Sequence, residues 1–278
     1  MTNYYLNFLD QASKTQKKSV QKYELHGEQV WLKKASKRHS TWIYLPLGWV
    51  SKLLGLHMLA PVPNYGSNKA ISCEIQRLQE LQELGIRVPT LLAQRQDCFL
   101  IQDAAQNKGQ SVQLGSALKK QPNTESRLTL YAKAVQAIHD IHSRNAYLSE
   151  AFARNMLIDD QQNLTFIDFE TDPAHVLSLE ECQSRDWLCF IFSTADYFND
   201  DELLQASYLL SLILSEHPQS FSDVSRVAQK AQWIAKLKPE KLGHDGVRLV
   251  KCIQLLQHIH TQYIYRQQLD TESEKSWS

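Results

Sequence analysis

The periodicity of the apolar residues changes partway along the 278-residue chain, and that change limits the fold more than any other feature. Over roughly the first hundred residues the apolar positions come in short alternating runs broken by turn residues, the pattern of strands. YELHGEQVWLKKA reads as two short strands around a turn at Gly27, the second over 29–34. RVPTLLAQRQDCFLIQDAA reads as two more, over 90–94 and 98–103. Between these pairs Ile71, Ile75, Leu78, Leu81 and Leu84 recur at helical spacing, which predicts a helix over 69–84 stopped by Gly85. Beyond that the spacing is helical over 126–142, 185–193, 201–217, 221–237 and 245–265, interrupted only by a short strand pair at 156–158 and 164–167. The polar tail 270–278 is expected to fray. The expectation is an α+β chain, with a small strand-rich part over 1–104 and a larger helical part over 105–278.

Composition supplies what such a fold needs. Hydrophobic residues make up 43% and charged residues 22%, enough apolar material for a real core. Lys+Arg and Asp+Glu both number 30, so no net charge marks a nucleic-acid partner, and none is expected. Cys73, Cys98, Cys182, Cys189 and Cys252 form no CxxC pair and read as reduced thiols of a cytoplasmic protein. The other histidines, His26, His139, His175, His217, His244, His258 and His260, show no metal-ligand spacing. The start MTNYYLNFLDQASKTQKK has no basic head followed by an apolar core, so no secretory signal is expected. No apolar run reaches the ~18 residues of a membrane span.

The helix ending at His142 leads into HSRNAYLSEAFARNMLIDDQQNLTFIDFE. Glu150 lies eight residues beyond His142, Asn155 five beyond that, and Asp168 thirteen further on. A hard divalent cation such as Mg²⁺ takes oxygen ligands and keeps several waters, so one carboxylate and one amide oxygen suit it. Asn155 alone reads as a turn former and Asp168 alone as a strand-end cap.

This stretch resembles the catalytic region of the aminoglycoside, choline and lipopolysaccharide-core kinases, written LHxxGxxHGDLHxxN with a strand and an acidic DF/WD/E motif after it. The resemblance spans roughly residues 22–200 and is closest to the Kdo/lipopolysaccharide-core kinase group. It implies a two-lobed protein-kinase-like fold, with a strand-rich N-lobe over 1–104 and a helical C-lobe over 105–278 carrying a catalytic loop at 142–170. It implies that Glu150 takes the catalytic aspartate's place, that Asn155 and Asp168 bind metal, and that Asp186 in RDWLCF braces the loop. Upstream, VWLKK resembles the strand whose lysine touches the ATP phosphates, which places Lys33 there and Glu74 on the helix as its partner. Lys33 and Lys34 point to opposite faces of a strand, so only one of them reaches such a site. The implied cofactors are ATP and Mg²⁺.

The chain departs from that pattern in two places. Leu148-Ser149-Glu150 replaces the HGD triplet, and the extra methylene of glutamate displaces the carboxylate, where a ~1 Å misplacement can cost about 100-fold in rate. No glycine-rich loop precedes Val30. An insert, STWIYLPLGWVSKLLGLHMLAPVPNYG, separates Lys33 from Glu74 and resembles the segment that follows the lysine strand in the Kdo and lipopolysaccharide-core kinases. Val50, Leu53, Leu54 and Met58 fall on one helical face there, with Trp42, Tyr44 and Trp49 just before them. A helix at about 42–63 either covers the small lobe or lies in the membrane interface, with Lys37, Arg38, His39 and Lys52 near anionic head groups.

The expected activity is ATP- and Mg²⁺-dependent phosphoryl transfer to a hydroxyl of a small-molecule sugar or glycolipid acceptor. The expected location is the cytoplasm, with peripheral contact on the inner membrane. Two alternatives carry over: a pseudokinase that binds nucleotide and regulates a partner without catalysis, and an atypical protein-serine kinase.

Overall fold

The computed structural model describes residues 2–35, 58, 62, 66–105, 109–237 and 243–276. These fall into two compact units. The first gathers Met1–Gly48, Pro61–Leu114 and Asn155–Val176, and the second Trp49–Ala60, Gly115–Arg154 and Leu177–Ser278, each counted over its described residues. The chain is α+β, with two small antiparallel sheets among mostly helical segments.

In the first unit, helix α1 (Thr2–Thr15) precedes strands β1 (Val20–Leu25) and β2 (Glu28–Lys34). Helix α2 (Ser67–Glu83) follows, then β3 (Leu91–Gln94) and β4 (Cys98–Gln102). The four strands pair in the order β1-β2-β4-β3. Leu25 pairs with Glu28 across a two-residue loop, His26-Gly27, whose φ values are 53° and 78°. Two positive φ angles give the turn the right hand for twisted strands, and glycine at the second position adopts them without a Cβ penalty. One face of the sheet is apolar: Val30, Leu32, Cys98 and Leu100 pack with Leu9 and Ala12 of α1.

A second sheet in this unit is built from β5 (Ser111–Gln113), β6 (Met156–Asp159) and β7 (Leu164–Phe166), in that order. Arg87 ties the β6–β7 hairpin to the segment after α2. Its guanidinium meets Asp159 at 2.8 Å and Thr165 Oγ1 at 3.1 Å, and its carbonyl accepts from the Phe166 N–H.

The second unit is helical: α3 (Leu114–Lys120), α4 (Thr124–His142), α5 (Leu179–Thr194), α6 (Asp200–Leu214), α7 (Pro218–Lys236) and α8 (His244–Ser276). Its core is aromatic at the centre, with Tyr131 stacked on Phe190 at 5.1 Å and meeting Phe198 edge-on at 5.0 Å. Capping boxes start α5 (Ser178 with Glu181) and α6 (Asn199 with Glu202), satisfying backbone donors that a helix start leaves open.

Five elements differ from the sequence expectation. Helix α1, strand β5 and helix α3 were not anticipated. Helix α5 begins at Leu179, earlier than expected, because the Ser178 capping box sets its start. Helix α8 continues to Ser276 where a frayed tail was expected from 270. Once a packed helix is nucleated, each added residue costs little, and QQLDTESEK has no glycine or proline to stop it. The insert expected as a helix at 42–63 lies outside the described residues apart from Met58 and Val62.

Candidate functional site

Strand alternation decides where the two lysines of VWLKK go. Val30 and Leu32 are fully buried in the α1-facing core, so Lys34 emerges on that side. Its ammonium donates to the carbonyls of Ser13 and Gln16 at the end of α1. That is a favourable place for a cation, because the last carbonyls of a helix are unpaired and carry its negative end. Trp31 and Lys33 leave the opposite face. The Trp31 indole donates to Asp103 at 2.7 Å, and Lys33 Nζ sits 2.6 Å from Glu74 Oε2.

Glu74 reaches that lysine because of the helix period. On α2 the buried residues Ile71, Glu74, Ile75, Leu78 and Leu81 form one stripe, and Glu74 is the carboxylate within it. Its side chain is 4% exposed. A charge at that depth persists only when paired, and Lys33 is the partner.

The other wall comes from the β6–β7 hairpin. Asn155 ends a short 3-10 turn just before β6 and is buried. Its carbonyl accepts from the Ile167 N–H at 2.9 Å, which sets Asn155 opposite Ile167, the neighbour of Asp168. Asp168 has φ 73°. Non-glycine residues visit this left-handed region at a cost of about 1–2 kcal/mol, and aspartate is among those that tolerate it best. Such strained positions cluster at functional sites. The turn brings Asp168 Oδ1 to 3.3 Å and Glu170 Oε1 to 2.9 Å from Lys33 Nζ, while Phe169 between them is buried.

Three carboxylates therefore share one ammonium. Burial works against the charge on Lys33, but Glu74, Asp168 and Glu170 outweigh it and hold the ammonium well above the usual lysine range. Burial pushes Glu74 up to about 7, with Lys33 pulling it back and Asp168 adding to the rise. The oxygens of Glu74, Asp168 and Glu170 lie within 4.8 Å of one another, a spacing that can hold a metal ion. Asp168 and Glu170 are the solvent-facing members, at 45% and 37% side-chain exposure. Carboxylate oxygens are hard donors, the type that divalent cations such as Mg²⁺ take.

Glu150 belongs to the second unit and is buried. Its Oε1 lies 3.6 Å from Nη2 of Arg185, and its Oε2 lies 4.0 Å from Nη2 of the exposed Arg154. Arg185 is itself 1% exposed, and its Nη1 donates to the Met58 carbonyl at 3.1 Å. The segment carrying Glu150 is held from α5. Asp186 Oδ2 accepts the Leu148 N–H at 2.6 Å and lies 3.2 Å from His142 Nε2. Gln183 donates to the carbonyls of His142 and Ala146 at 3.0 and 3.1 Å. Asp186 thus ties Leu148 and His142 to α5.

Lys33, Glu74, Asn155 and Asp168 all lie in the first unit, with Lys33 in contact with both Glu74 and Asp168. Sequence reasoning missed Glu170 and Arg185. The signal for Glu170 was the second acid of IDFE. For Arg185 it was a cation directly before Asp186 and the apolar run that starts at Trp187. Two histidines read as incidental also meet, His139 Nδ1 lying 2.8 Å from His217 Nε2.

In comparisons with known proteins, no protein-family model matches the chain and no curated protein matches it in sequence.

Proposed function

We propose that this is a protein-kinase-like fold acting as an ATP- and Mg²⁺-dependent phosphotransferase on a hydroxyl of a sugar or glycolipid, similar to the Kdo/lipopolysaccharide-core kinases. The observation that carries the reading is the 2.6 Å ion pair between Lys33 on a strand and Glu74 on the buried stripe of a helix. Phosphoryl transfer asks for positioning and charge rather than covalent chemistry, and a lysine oriented by a helix glutamate is one of its recurring parts. In this reading Lys33 neutralises phosphate oxygens and Glu74 keeps its ammonium aimed. Asp168 and Asn155 hold the metal, which supplies charge neutralisation on the phosphates. Glu150 takes the acceptor hydroxyl, a role resting on the sequence resemblance alone. The cytoplasmic face of an inner membrane is the location that suits a glycolipid acceptor.

The test is thermal stability of the full chain against Mg-ATP, beside Asp168→Ala. A ligand that binds only the folded state stabilises it by about 2.7 kcal/mol at a hundredfold excess over its dissociation constant. A metal-dependent rise lost in Asp168→Ala supports the reading. No rise at millimolar Mg-ATP removes it.

A second reading, nucleotide binding without catalysis, is favoured by the surroundings of Glu150. The guanidiniums of Arg185 and Arg154 compete with any incoming hydroxyl for its oxygens. If the chain binds Mg-ATP but turns over no ATP above the uncatalysed background, this second reading takes over.

A further inference from the structure

Lys33 is the residue assigned to phosphate, yet its ammonium has no N–H left to offer. A lysine carries three donors, and three carboxylate oxygens surround Nζ, at 2.6 Å (Glu74), 2.9 Å (Glu170) and 3.3 Å (Asp168). The three partners are not equivalent. Glu74 is 4% exposed and fixed on α2, whereas Glu170 is 37% exposed and lies on irregular chain beyond β7. Buried Phe169 anchors the backbone beside it, so the Glu170 side chain can move without the core moving.

There is also room for it to go. Glu170 lines an open cleft of about 370 Å³ shared with Asn68, Lys69, Ser72, Gln76 and Asp172. The electrostatics agree with the geometry. Three carboxylates around one ammonium leave an excess of negative charge, which repels a polyphosphate for as long as Glu170 remains in place.

We infer that Glu170 is a removable cap on Lys33, occupying the ammonium that would meet phosphate and swinging out when a polyphosphate arrives. The inference rests on the phosphotransferase reading for the identity of the ligand. The cap makes the resting site a poor anion binder, so ATP without metal binds weakly. A cation drawing Asp168 and Glu170 away from Lys33 frees the ammonium, so metal and polyphosphate bind with mutual reinforcement.

The test is calorimetric binding of tripolyphosphate and of ATP, both without metal, to the wild-type full chain, Glu170→Gln, Asp172→Asn and the double variant Glu170→Gln/Lys33→Gln. Glu170→Gln is expected to bind both ligands at least roughly tenfold more tightly than wild type. The gain should vanish in the double variant, and Asp172→Asn, which removes the same charge two residues away, should gain far less. Equal or weaker binding by Glu170→Gln overturns the cap. So does an equal gain in Asp172→Asn, which reduces the effect to general repulsion. Wild-type Mg-ATP binding is scored separately. If it is missing while Glu170→Gln gains tripolyphosphate through Lys33, the cap stands and the phosphotransferase reading falls.

Discussion

At the scale of single residues, the site depends on which way two neighbours point. Lys34 serves the end of a helix and Lys33 serves a carboxylate cluster, and exchanging their faces would dismantle both. Glu74→Ala should destabilise the chain by about 2–3 kcal/mol in urea unfolding, below the ~3–5 kcal/mol typical of breaking a buried pair, because Asp168 and Glu170 still attend Lys33. Glu74→Gln, which keeps the volume and an acceptor, should cost less. A loss below about 0.5 kcal/mol for the alanine variant would mean that the pair does not hold the strand and helix together. Lys33 and Glu74 were legible in the sequence because a period of 2 and a period of 3.6 each fix a face. Glu170 was not, because its reach to Lys33 depends on the left-handed turn at Asp168, which no periodicity encodes.

At the scale of elements, starts and ends are set by caps. Ser178→Ala removes one half of the capping box of α5 and should cost about 1 kcal/mol in thermal or urea unfolding. The 142–150 segment hangs from Asp186 and Gln183 on that helix, so the same variant tests whether a distant cap reaches the segment. Gly115 on α3 has a more local constraint. A Cβ there would lie 2.3 Å from the Tyr197 hydroxyl oxygen. Gly115→Ala should therefore cost about 1–2 kcal/mol, and less than half of that in a Tyr197→Phe background, as read by a double-mutant cycle.

The contact between α4 and the start of α7 should weaken as the pH falls. Burial lowers the proton affinity of His217, and the neighbouring His142 and His139 lower it further, against a smaller pull from Glu216. His217 also stands at the N-terminus of α7, a poor place for a cation. The unfolded chain takes up this proton near pH 6.5, and the folded chain takes it up only at lower pH. Stability is fully present above about pH 6.5 and falls as the pH drops through that value. His217→Gln should flatten the fall between pH 7 and 5 (urea midpoints at each pH). An unchanged profile would place the acid sensitivity elsewhere.

The four main strands and most of the long helices were readable from apolar spacing, but α5 starts well before its expected bound and α8 ends well beyond its own. Helix α1 was hidden in plain view. Leu9 and Ala12 lie on a helical stripe, but its apolar content is modest and only the sheet beneath makes it worth forming. Strand β5, three residues long, is too short for any period to register.

At the scale of the whole molecule, balanced charge governs behaviour in solution. With 30 basic and 30 acidic residues the chain carries no net charge at pH 7, so its solubility should be lowest near neutrality and rise on either side. A precipitation series in low salt reads this directly. Among the described residues no helix is long and apolar enough to cross a membrane.

The first unit is assembled from pieces far apart in the chain, and this has a consequence for how the protein is made. Lys33 leaves the ribosome 135 residues before Asp168. At roughly 5–20 residues per second, that gap lasts about 7–27 seconds. During the interval Lys33 and Glu74 can find each other, but the hairpin bearing Asp168 and Glu170 does not yet exist. A nascent chain arrested before residue 155 should therefore present an incomplete first unit that proteases cut readily, and one released past 176 should resist them.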